Sequence, residues 1–302
     1  MKIVVIGSSN TDMIVQVPRI PKPGETILGG TFHTAAGGKG ANQAVTAARA
    51  GGEVTFVARV GDDMFGDKAI AGFKADNINV DFVIKDPNAP SGVAEIFVAD
   101  DGENSIAVAS GANANLSPQD VELAREAIQN ADLILMQLEV PLPTVTAAAA
   151  LAQEYGKPVI LNPAPAQGLP DELLRQISLL TPNESEIELL TGIEVSDRLS
   201  LEVAAAEIKA KGVQQVIITL GAAGVYVDED DHREIIPGFS VKPVDTTAAG
   251  DVFNGALAVA LARGDDMPQA IRFAQAAAAL SVTKMGAQPS APTSADIEQF
   301  LA

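Results

Sequence analysis

Hydrophobic residues in this chain occur in short, uninterrupted runs that alternate with longer segments of helical spacing. The runs lie at 3–6, 54–57, 133–136, 159–161, 179–180 and 216–219. Runs this uniformly apolar are typical of parallel strands covered on both faces. Helices are predicted between them at 41–50, 119–130, 143–155, 184–191 and 201–211, several followed by a glycine at 51, 156, 192 or 212. The alternation predicts an α/β fold: a doubly wound, mostly parallel sheet with helices on both faces.

Two segments, 11–35 and 91–110, interrupt this alternation. Their short apolar stretches, at 13–17, 26–28, 93–98 and 105–108, are separated by proline, glycine and aspartate turns. We expect them to form a small antiparallel sheet beside the core, with a face and edges that a second copy of the chain could cover. Three further helices are predicted at 251–263, 268–284 and 294–301, and the whole chain, 1–302, is predicted to be a single domain.

Composition excludes several kinds of chemistry. The 302 residues include no cysteine and only two histidines, so a thiol nucleophile, a thiolate metal site and a histidine-based triad are not expected. No apolar run reaches the roughly 18 residues needed to cross a bilayer, and the first residues become polar too early for a signal peptide. We therefore expect a cytoplasmic protein with no membrane partner.

The charge balance is strongly acidic, with 20 basic and 39 acidic residues and a net charge of −19. This balance disfavours a nucleic-acid partner, whose binding depends on neutralising phosphates. Any small anionic ligand must be attracted by local features such as a helix N-terminus, a lysine or a bound cation.

The most informative segment runs from Asp245 to Asp251 (DTTAAGD) and precedes a predicted helix. The unpaired amides at a helix start attract anions, and the small residues Ala248, Ala249 and Gly250 permit close approach. A phosphate held there would leave Asp251 free to accept a proton from an attacking hydroxyl. The alternative is that Asp251 only caps the helix.

Polar residues follow the first predicted strand, at a strand end where open α/β sheets bind ligands. Asn10 and Asp12 come after the first strand and could hold a polyol, although a turn is also compatible with them. Residues 37–43 (GGKGANQ) are glycine-rich, but Lys39 is followed by Gly40 rather than serine or threonine, so this is no Walker loop. Without further context a simple glycine turn remains open.

Five motifs in order resemble the ribokinase-like (PfkB) family of sugar and nucleoside kinases. They lie at 37–43, 183–186 (NESE), 219–224 (TLGAAG), 245–251 and 284–290 (KMGAQPS). The resemblance covers essentially the whole chain and implies ATP-dependent phosphorylation of D-ribose at its 5-hydroxyl, because the Lys39-Gly40 pair is closest to members acting on ribose. Deoxyribose, another sugar or a nucleoside remain alternative acceptors, and a non-catalytic sugar-binding relative is a further alternative.

The resemblance also implies residue roles. Asp251 would be the catalytic base, with an anion hole formed by the amides of Ala248, Ala249 and Gly250. The residues implied to bind substrate are Asn10, Asp12, Gly38, Lys39, Asn42, Glu139 and Asp251. Those implied to bind ATP are Asn183, Thr219, Gly221, Gly224, Gly250 and Gln275.

The same resemblance implies two cations and a dimer. Glu186 would hold Mg²⁺ through bound water, although Asn183 and Glu186 could simply cap a helix. A K⁺ site is implied at Asp245, Thr247, Ser281, Lys284, Gly286 and Ser290, and the small sheet is implied to be a lid through which two subunits pair. Ala222 and Ala223 depart from the polar or basic residues common in the family, so nucleotide preference is less constrained.

Overall fold

The computed structural model describes residues 1–101, 103–229 and 232–302. The strands in these ranges are β1 (Lys2–Ile6), β2 (Asn10–Val17), β3 (Thr31–Gly37), β4 (Glu53–Gly61), β5 (Asn79–Asp86), β6 (Gly92–Ala99), β7 (Asn104–Ala109), β8 (Leu133–Met136), β9 (Val159–Leu161), β10 (Leu179–Leu180), β11 (Gln215–Thr219), β12 (Val225–Glu229) and β13 (His232–Ile236). The α-helices are α1 (Lys39–Arg49), α2 (Met64–Ala75), α3 (Pro118–Leu123), α4 (Arg125–Gln129), α5 (Leu142–Glu154), α6 (Asp171–Leu174), α7 (Glu184–Thr191), α8 (Arg198–Ala210), α9 (Ala249–Arg263), α10 (Met267–Ser281) and α11 (Ser294–Leu301).

The larger sheet has the order β13-β12-β11-β10-β9-β8-β1-β4-β5. Every pair from β11 to β5 is parallel, while β12 and β13 add antiparallel pairs at one edge. Successive residues of β1 face opposite layers: Val5 packs in a core that includes α1, α9 and α10, and Val4 in a core that includes α5 and α8. The predicted doubly wound fold is confirmed. None of the helices in the described ranges is long and apolar enough to span a membrane.

The small sheet has the order β3-β2-β6-β7. Its outer pairs are antiparallel, but β2 and β6 at its centre are parallel, with Asp12 opposite Ala94. It is therefore a mixed sheet rather than the wholly antiparallel one that was predicted. Sequence reasoning missed this because two strands separated by a long excursion can pair in either direction. Gly102, within the predicted segment 91–110, lies outside the described residues.

Several predicted elements need correction. Residues 26–28 form no strand: they lie in an exposed loop between Gly24 and Gly29, which both adopt positive φ, and Leu28 is 90% exposed. The helix predicted at 119–130 is two short helices, α3 and α4, that meet at Ala124. Sequence analysis also missed α2 and β5. The four glycines at 51, 156, 192 and 212 all have positive φ at or just after helix ends, as predicted.

Candidate active site

A cleft of about 320 Å³ lies at the carboxyl edge of the larger sheet, beneath the small sheet. All of the residues predicted to bind substrate line it: Asn10, Asp12, Gly38, Lys39, Asn42, Glu139 and Asp251. The small sheet contributes Asn10 and Asp12 from the start of β2 and apolar side chains such as Ile96 and Ile106, whereas the residues that follow strands of the larger sheet are mostly polar. The cleft therefore offers one apolar wall and one wall rich in hydrogen-bonding groups.

Close packing of two helices brings Asp251 to this cleft. Helix α9 crosses α1 at Gly255, where a Cβ would lie only 2.7 Å from the backbone oxygen of Gln43. This approach places the Asp251 carboxylate against two α1 side chains: its Oδ2 accepts from Asn42 Nδ2 at 2.9 Å, and its Oδ1 accepts from Gln43 Nε2 at 3.0 Å. Asp251 is 6% exposed, so its carboxylate is held in one orientation at the inner end of the cleft.

The electrostatic setting of Asp251 is a balance of opposing effects. Burial raises its pKa above the ordinary value, while the Lys39 ammonium and the amides of Asn42 and Gln43 act in the opposite direction. Burial alone would lower the pKa of Lys39, but the carboxylates of Asp251, Glu139 and Glu186 raise it. Lys39 therefore stays protonated at neutral pH as the positive charge among these acidic side chains.

Asp12 and Glu139 face the same cleft from different elements. One Glu139 oxygen accepts from the Ser8 hydroxyl at 2.6 Å and from the Lys39 backbone amide at 3.0 Å. The Asp12 carboxylate has no hydrogen-bond partner among the described residues, and Gly37 leaves it room, since a Cβ there would lie 2.3 Å from that carboxylate. Burial, with the negative charges of Glu139 and Asp251, raises the pKa of Asp12 to about 6. Because both of its oxygens lack partners, the ionised Asp12 carboxylate can accept hydrogen bonds from two ligand hydroxyls.

Asn10 is fixed by a residue that the sequence analysis did not single out. Asn113 donates to Asn10 Oδ1 at 2.7 Å and accepts from the Ser9 amide at 2.8 Å. Both asparagines are buried. Gly92 makes this contact possible, because a Cβ there would clash with both side chains at 2.2 Å. The Asn10 amide nitrogen is therefore the end that faces the cleft.

The predicted anion hole lies at the first turn of α9. Ala248, its N-cap, adopts a left-handed conformation with φ 59°, which costs a non-glycine residue on the order of 1–3 kcal/mol. The amides of Gly250 and Asp251 in this first turn have no acceptor within the helix. The Ala249 amide, however, donates to Thr246 O at 3.2 Å. That bond corrects the prediction of three free amides, because it leaves Ala249 supporting the turn.

A second cavity of about 430 Å³ adjoins the first. The two share Thr219, Thr246, Ala249 and Gly250 in their walls. The second cavity is mostly apolar, lined by residues such as Phe253 and Val282. The predicted nucleotide residues that line it are Thr219, Gly221, Gly224, Gly250 and Gln275. A polar cleft and an apolar cavity therefore meet at the start of α9.

One predicted nucleotide residue lies outside the second cavity, and the side chain of another is already hydrogen-bonded within its wall. Asn183 lines the first cleft rather than the second cavity. Gln275 does line the second cavity, but its amide donates to Ile236 O at 3.0 Å, so it supports the wall of the cavity. Gly224 brings that wall close, because a Cβ there would lie 2.1 Å from the same Ile236 oxygen.

Asn183 and Glu186 form a complete capping box at the start of α7, with reciprocal hydrogen bonds of 2.8 Å. Only one Glu186 oxygen takes part, so the other remains available to the cleft. Burial raises the pKa of Glu186. No three acidic or histidine side chains converge as a metal cage in the part of the chain that the structure describes. The donor set therefore fits a cation that keeps most of its water shell, as Mg²⁺ does.

Most of the residues predicted to hold K⁺ lie in two loops joined by Asp245, and Ser281 is the last residue of α10. The Asp245 carboxylate accepts from the Thr247 amide at 2.9 Å and from the Gly286 amide at 2.8 Å. Hydrogen bonds from Thr247 and Gly286 outweigh burial and keep the pKa of Asp245 below its usual value. Ser281 and Ser290 are buried and donate to nearby carbonyls, whereas the Lys284 side chain is exposed. Asp245 thus has a visible role in joining the loops, and its role toward K⁺ stays a prediction.

Comparison with known proteins assigns the chain to a family. A family model described as pfkB family carbohydrate kinase matches residues 1–294. The chain belongs to this family. A carbohydrate kinase must hold a sugar and a nucleotide side by side. The polar cleft and the second cavity, which meet at the start of α9, agree with that requirement. The assignment confirms the resemblance drawn from the five motifs.

Individual relatives cover the chain almost completely. It is 48% identical to a ribokinase of Haemophilus influenzae over 98% of this chain and 97% of the relative. It is 40% identical to a deoxyribokinase of Salmonella typhi over 99% and 97%. The solved structure of Arabidopsis thaliana ribokinase complexed with ribose and ATP matches with a TM-score of 0.92 and 36% identity, covering 99% of this chain and 98% of that one.

Proposed function

We propose that this protein transfers the γ-phosphoryl group of ATP to the 5-hydroxyl of D-ribose, giving ribose 5-phosphate and ADP, and that residues 1–302 act as one kinase domain. One observation carries the proposal: the buried carboxylate of Asp251 stands where the polar cleft and the apolar cavity share Gly250. A sugar in the cleft and a nucleotide in the cavity would meet at that carboxylate. The similarity to ribokinases supports ribose as the acceptor.

The reaction proceeds as an in-line transfer. Asp251 accepts the proton of the attacking hydroxyl while the new O–P bond forms and the bond between the β- and γ-phosphates breaks. The amides of Gly250 and Ala248 at the start of α9 and the Lys39 ammonium face the charge that develops on the transferring phosphoryl group. Asp12, Asn10 and the other substrate residues hold the sugar hydroxyls, which fixes the reacting group beside Asp251.

The two cations have separate roles. Glu186 would hold, through water, the Mg²⁺ that accompanies the nucleotide, and that cation would supply neutralisation of the phosphate charge. We propose that K⁺ binds among the carbonyl and hydroxyl oxygens of the two loops joined by Asp245. That position would stabilise the turn carrying Ala248 to Gly250 without contact with the substrate.

A panel of phosphate acceptors, run with and without K⁺, tests the substrate assignment. Purified protein is mixed with MgATP and ribose, deoxyribose, fructose or adenosine at pH 8, where Asp12, with a pKa of about 6, is ionised. We expect ribose to give the highest kcat/KM and K⁺ to raise it. Deoxyribose is the specific competitor, because a deoxyribokinase is 40% identical. A higher kcat/KM for deoxyribose would overturn the assignment of ribose, and ATP turnover independent of any acceptor would overturn the kinase assignment.

The small sheet suggests how two subunits would associate. Ile106 and Val108 of β7 are 55% and 53% exposed, although they lie on the side of the sheet that faces the cleft. We propose a homodimer in which the two small sheets pair and cover these residues. Ile106→Glu should then convert the dimer to a monomer in sedimentation experiments, while Leu123→Glu, at a residue of α3 that is 67% exposed, should not. A wild-type protein that sediments as a monomer at micromolar concentration contradicts the proposal.

A further inference from the structure

A group of buried side-chain amides surrounds the Asp251 carboxylate, and two of its members, Gln43 and Gln137, do not line the cleft. Gln43 Nε2 donates to Asp251 Oδ1 at 3.0 Å and to Asn162 Oδ1 at 3.2 Å. Gln137 Nε2 donates in turn to Gln43 Oε1. Gln43 and Gln137 are fully buried and Asn162 is 6% exposed. These amides come from α1 and from the ends of β8 and β9, so three separate segments converge around a single carboxylate.

The contacts fix which end of the Gln43 amide faces Asp251. Both N–H groups of Gln43 donate, one to Asp251 and one to Asn162, and its oxygen accepts from Gln137. Turning the amide by 180° would place its oxygen against the carboxylate and its nitrogen against the Gln137 nitrogen. Because buried polar groups without partners are costly, only one orientation of this amide is stable.

A hydrogen-bond donor in this position stabilises the ionised form of Asp251 more than the protonated form. The ionised carboxylate can only accept hydrogen bonds, so it gains from Gln43 and Asn42, whereas burial favours the neutral acid. The charged groups that face Asp251 come from four other places in the fold. They are Lys39 on α1, Glu139 after β8, Asp12 on β2 and Glu186 on α7. Lys39 is the one cation among these groups, and the other three are acidic. The neutral donors Asn42 and Gln43 therefore add to the stabilisation of the ionised carboxylate that Lys39 provides.

We propose that Gln43 is a positioning residue for Asp251: its amide orients the carboxylate and favours the ionised form, and Gln137 and Asn162 hold that amide in its donating orientation. The proposal rests on the proposed function of Asp251 as the base. It adds that the ability of the base to accept a proton depends on a side chain that touches neither sugar nor nucleotide.

The same network continues to the anion hole. Asn162 Nδ2 donates to Thr181 O at 3.1 Å, and the Thr181 hydroxyl donates to Asn254 Oδ1 at 2.6 Å. Asn254 Nδ2 then donates to Gly250 O at 2.8 Å. A continuous line of hydrogen bonds therefore joins the carboxylate that accepts the proton to the turn that faces the phosphoryl group.

The variant Gln43→Met tests the proposal, because it keeps an unbranched side chain of similar length but removes the donor. We expect kcat to fall about tenfold to a hundredfold, as for loss of a hydrogen bond to a charged group. The acid limb of the kcat profile should move up by about one pH unit, while KM for ribose should change little, since Gln43 does not line the cleft. Rates are measured from pH 5 to pH 9 with saturating MgATP.

Two further variants separate positioning from general stability. Thr144→Val removes a buried hydroxyl that donates to Leu116 O at 2.6 Å and lies outside both cavities, so it should lower stability but leave the pH profile unchanged. Gln137→Met leaves the contact between Gln43 and Asp251 in place and removes only the group that orients the amide. It should move the acid limb in the same direction by a smaller amount, and it decides the question if Gln43→Met does not fold.

The outcomes distinguish this inference from the function on which it depends. A folded Gln43→Met with the wild-type acid limb overturns the positioning role, whatever its kcat, and so does an unshifted Gln137→Met when Gln43→Met does not fold. If Asp251→Asn retains near-normal turnover, the assignment of the base fails first, which is a separate result.

Discussion

We expect Asp251→Asn to lower kcat by about 10²- to 10⁴-fold, the range that a positioned general base contributes. The substituted amide has a nearly identical shape but cannot take the proton of the attacking hydroxyl. Ribose affinity should stay within a few-fold of wild type, because Asn10, Asp12 and Glu139 provide the other polar contacts in the cleft. Steady-state turnover and ribose titration calorimetry measure the two quantities separately.

The control for this substitution lies at the other end of the same helix. Asp265 follows α9 and pairs with Arg263 rather than with any residue of the cleft. Asp265→Asn should leave kcat unchanged. Near-normal turnover in Asp251→Asn would show that Asp251 serves only the start of α9. A loss of ribose binding to the same extent as the loss of turnover would indicate a positioning role instead.

We expect Gly250→Ala to lower kcat/KM for ATP by about 10²- to 10³-fold, comparable to the loss of an anion-hole donor. A Cβ at Gly250 would meet no protein atom within 4 Å, so the methyl group would point into the open space shared by the two cavities. That space is where the phosphoryl group must approach the amides. The protein itself should lose no stability, because alanine is a better helix former than glycine.

A second helical glycine provides the matched control. Gly72 in α2 also has open space at its Cβ position and lies outside both cavities. Gly72→Ala should stabilise the fold by about 0.5–1 kcal/mol and leave kcat/KM unchanged. Thermal unfolding measures the stability of the two variants, and initial rates at varied ATP concentration measure their kcat/KM. An active Gly250→Ala would place the transferring phosphate elsewhere.

The fold could be predicted where local signals were strong. The capping pair Asn183 and Glu186 and the following Gly192 correctly bound α7, and the apolar run at 133–136 is β8. Helix α2 was missed because Gly66 and Gly72 weaken its helical signal. Residues 26–28 were mistaken for a strand because three apolar or β-branched residues suffice for the pattern, although only pairing with a neighbour makes a strand.

The site could be predicted from the sequence only where its residues lie close together along the chain. Asp251, Lys39 and Asn42 belong to compact motifs, were all predicted as site residues, and line the same cleft. Gln43 stands in one of those motifs but was not used, and its partners Gln137 and Asn162 lie far along the chain in unremarkable surroundings. Amides become significant only when folding brings them together at a carboxylate. Spacing along one sequence cannot show this.

The crossing of α1 and α9 at Gly255 makes the tolerance of this protein to mutation uneven. Gly255 lies outside both cavities and carries no chemistry, yet any side chain there must push against the Gln43 backbone or Thr46. The displaced helix would take Asp251 away from Asn42 and Gln43. Substitutions at Gly255 should therefore inactivate the protein although this residue contacts no ligand site.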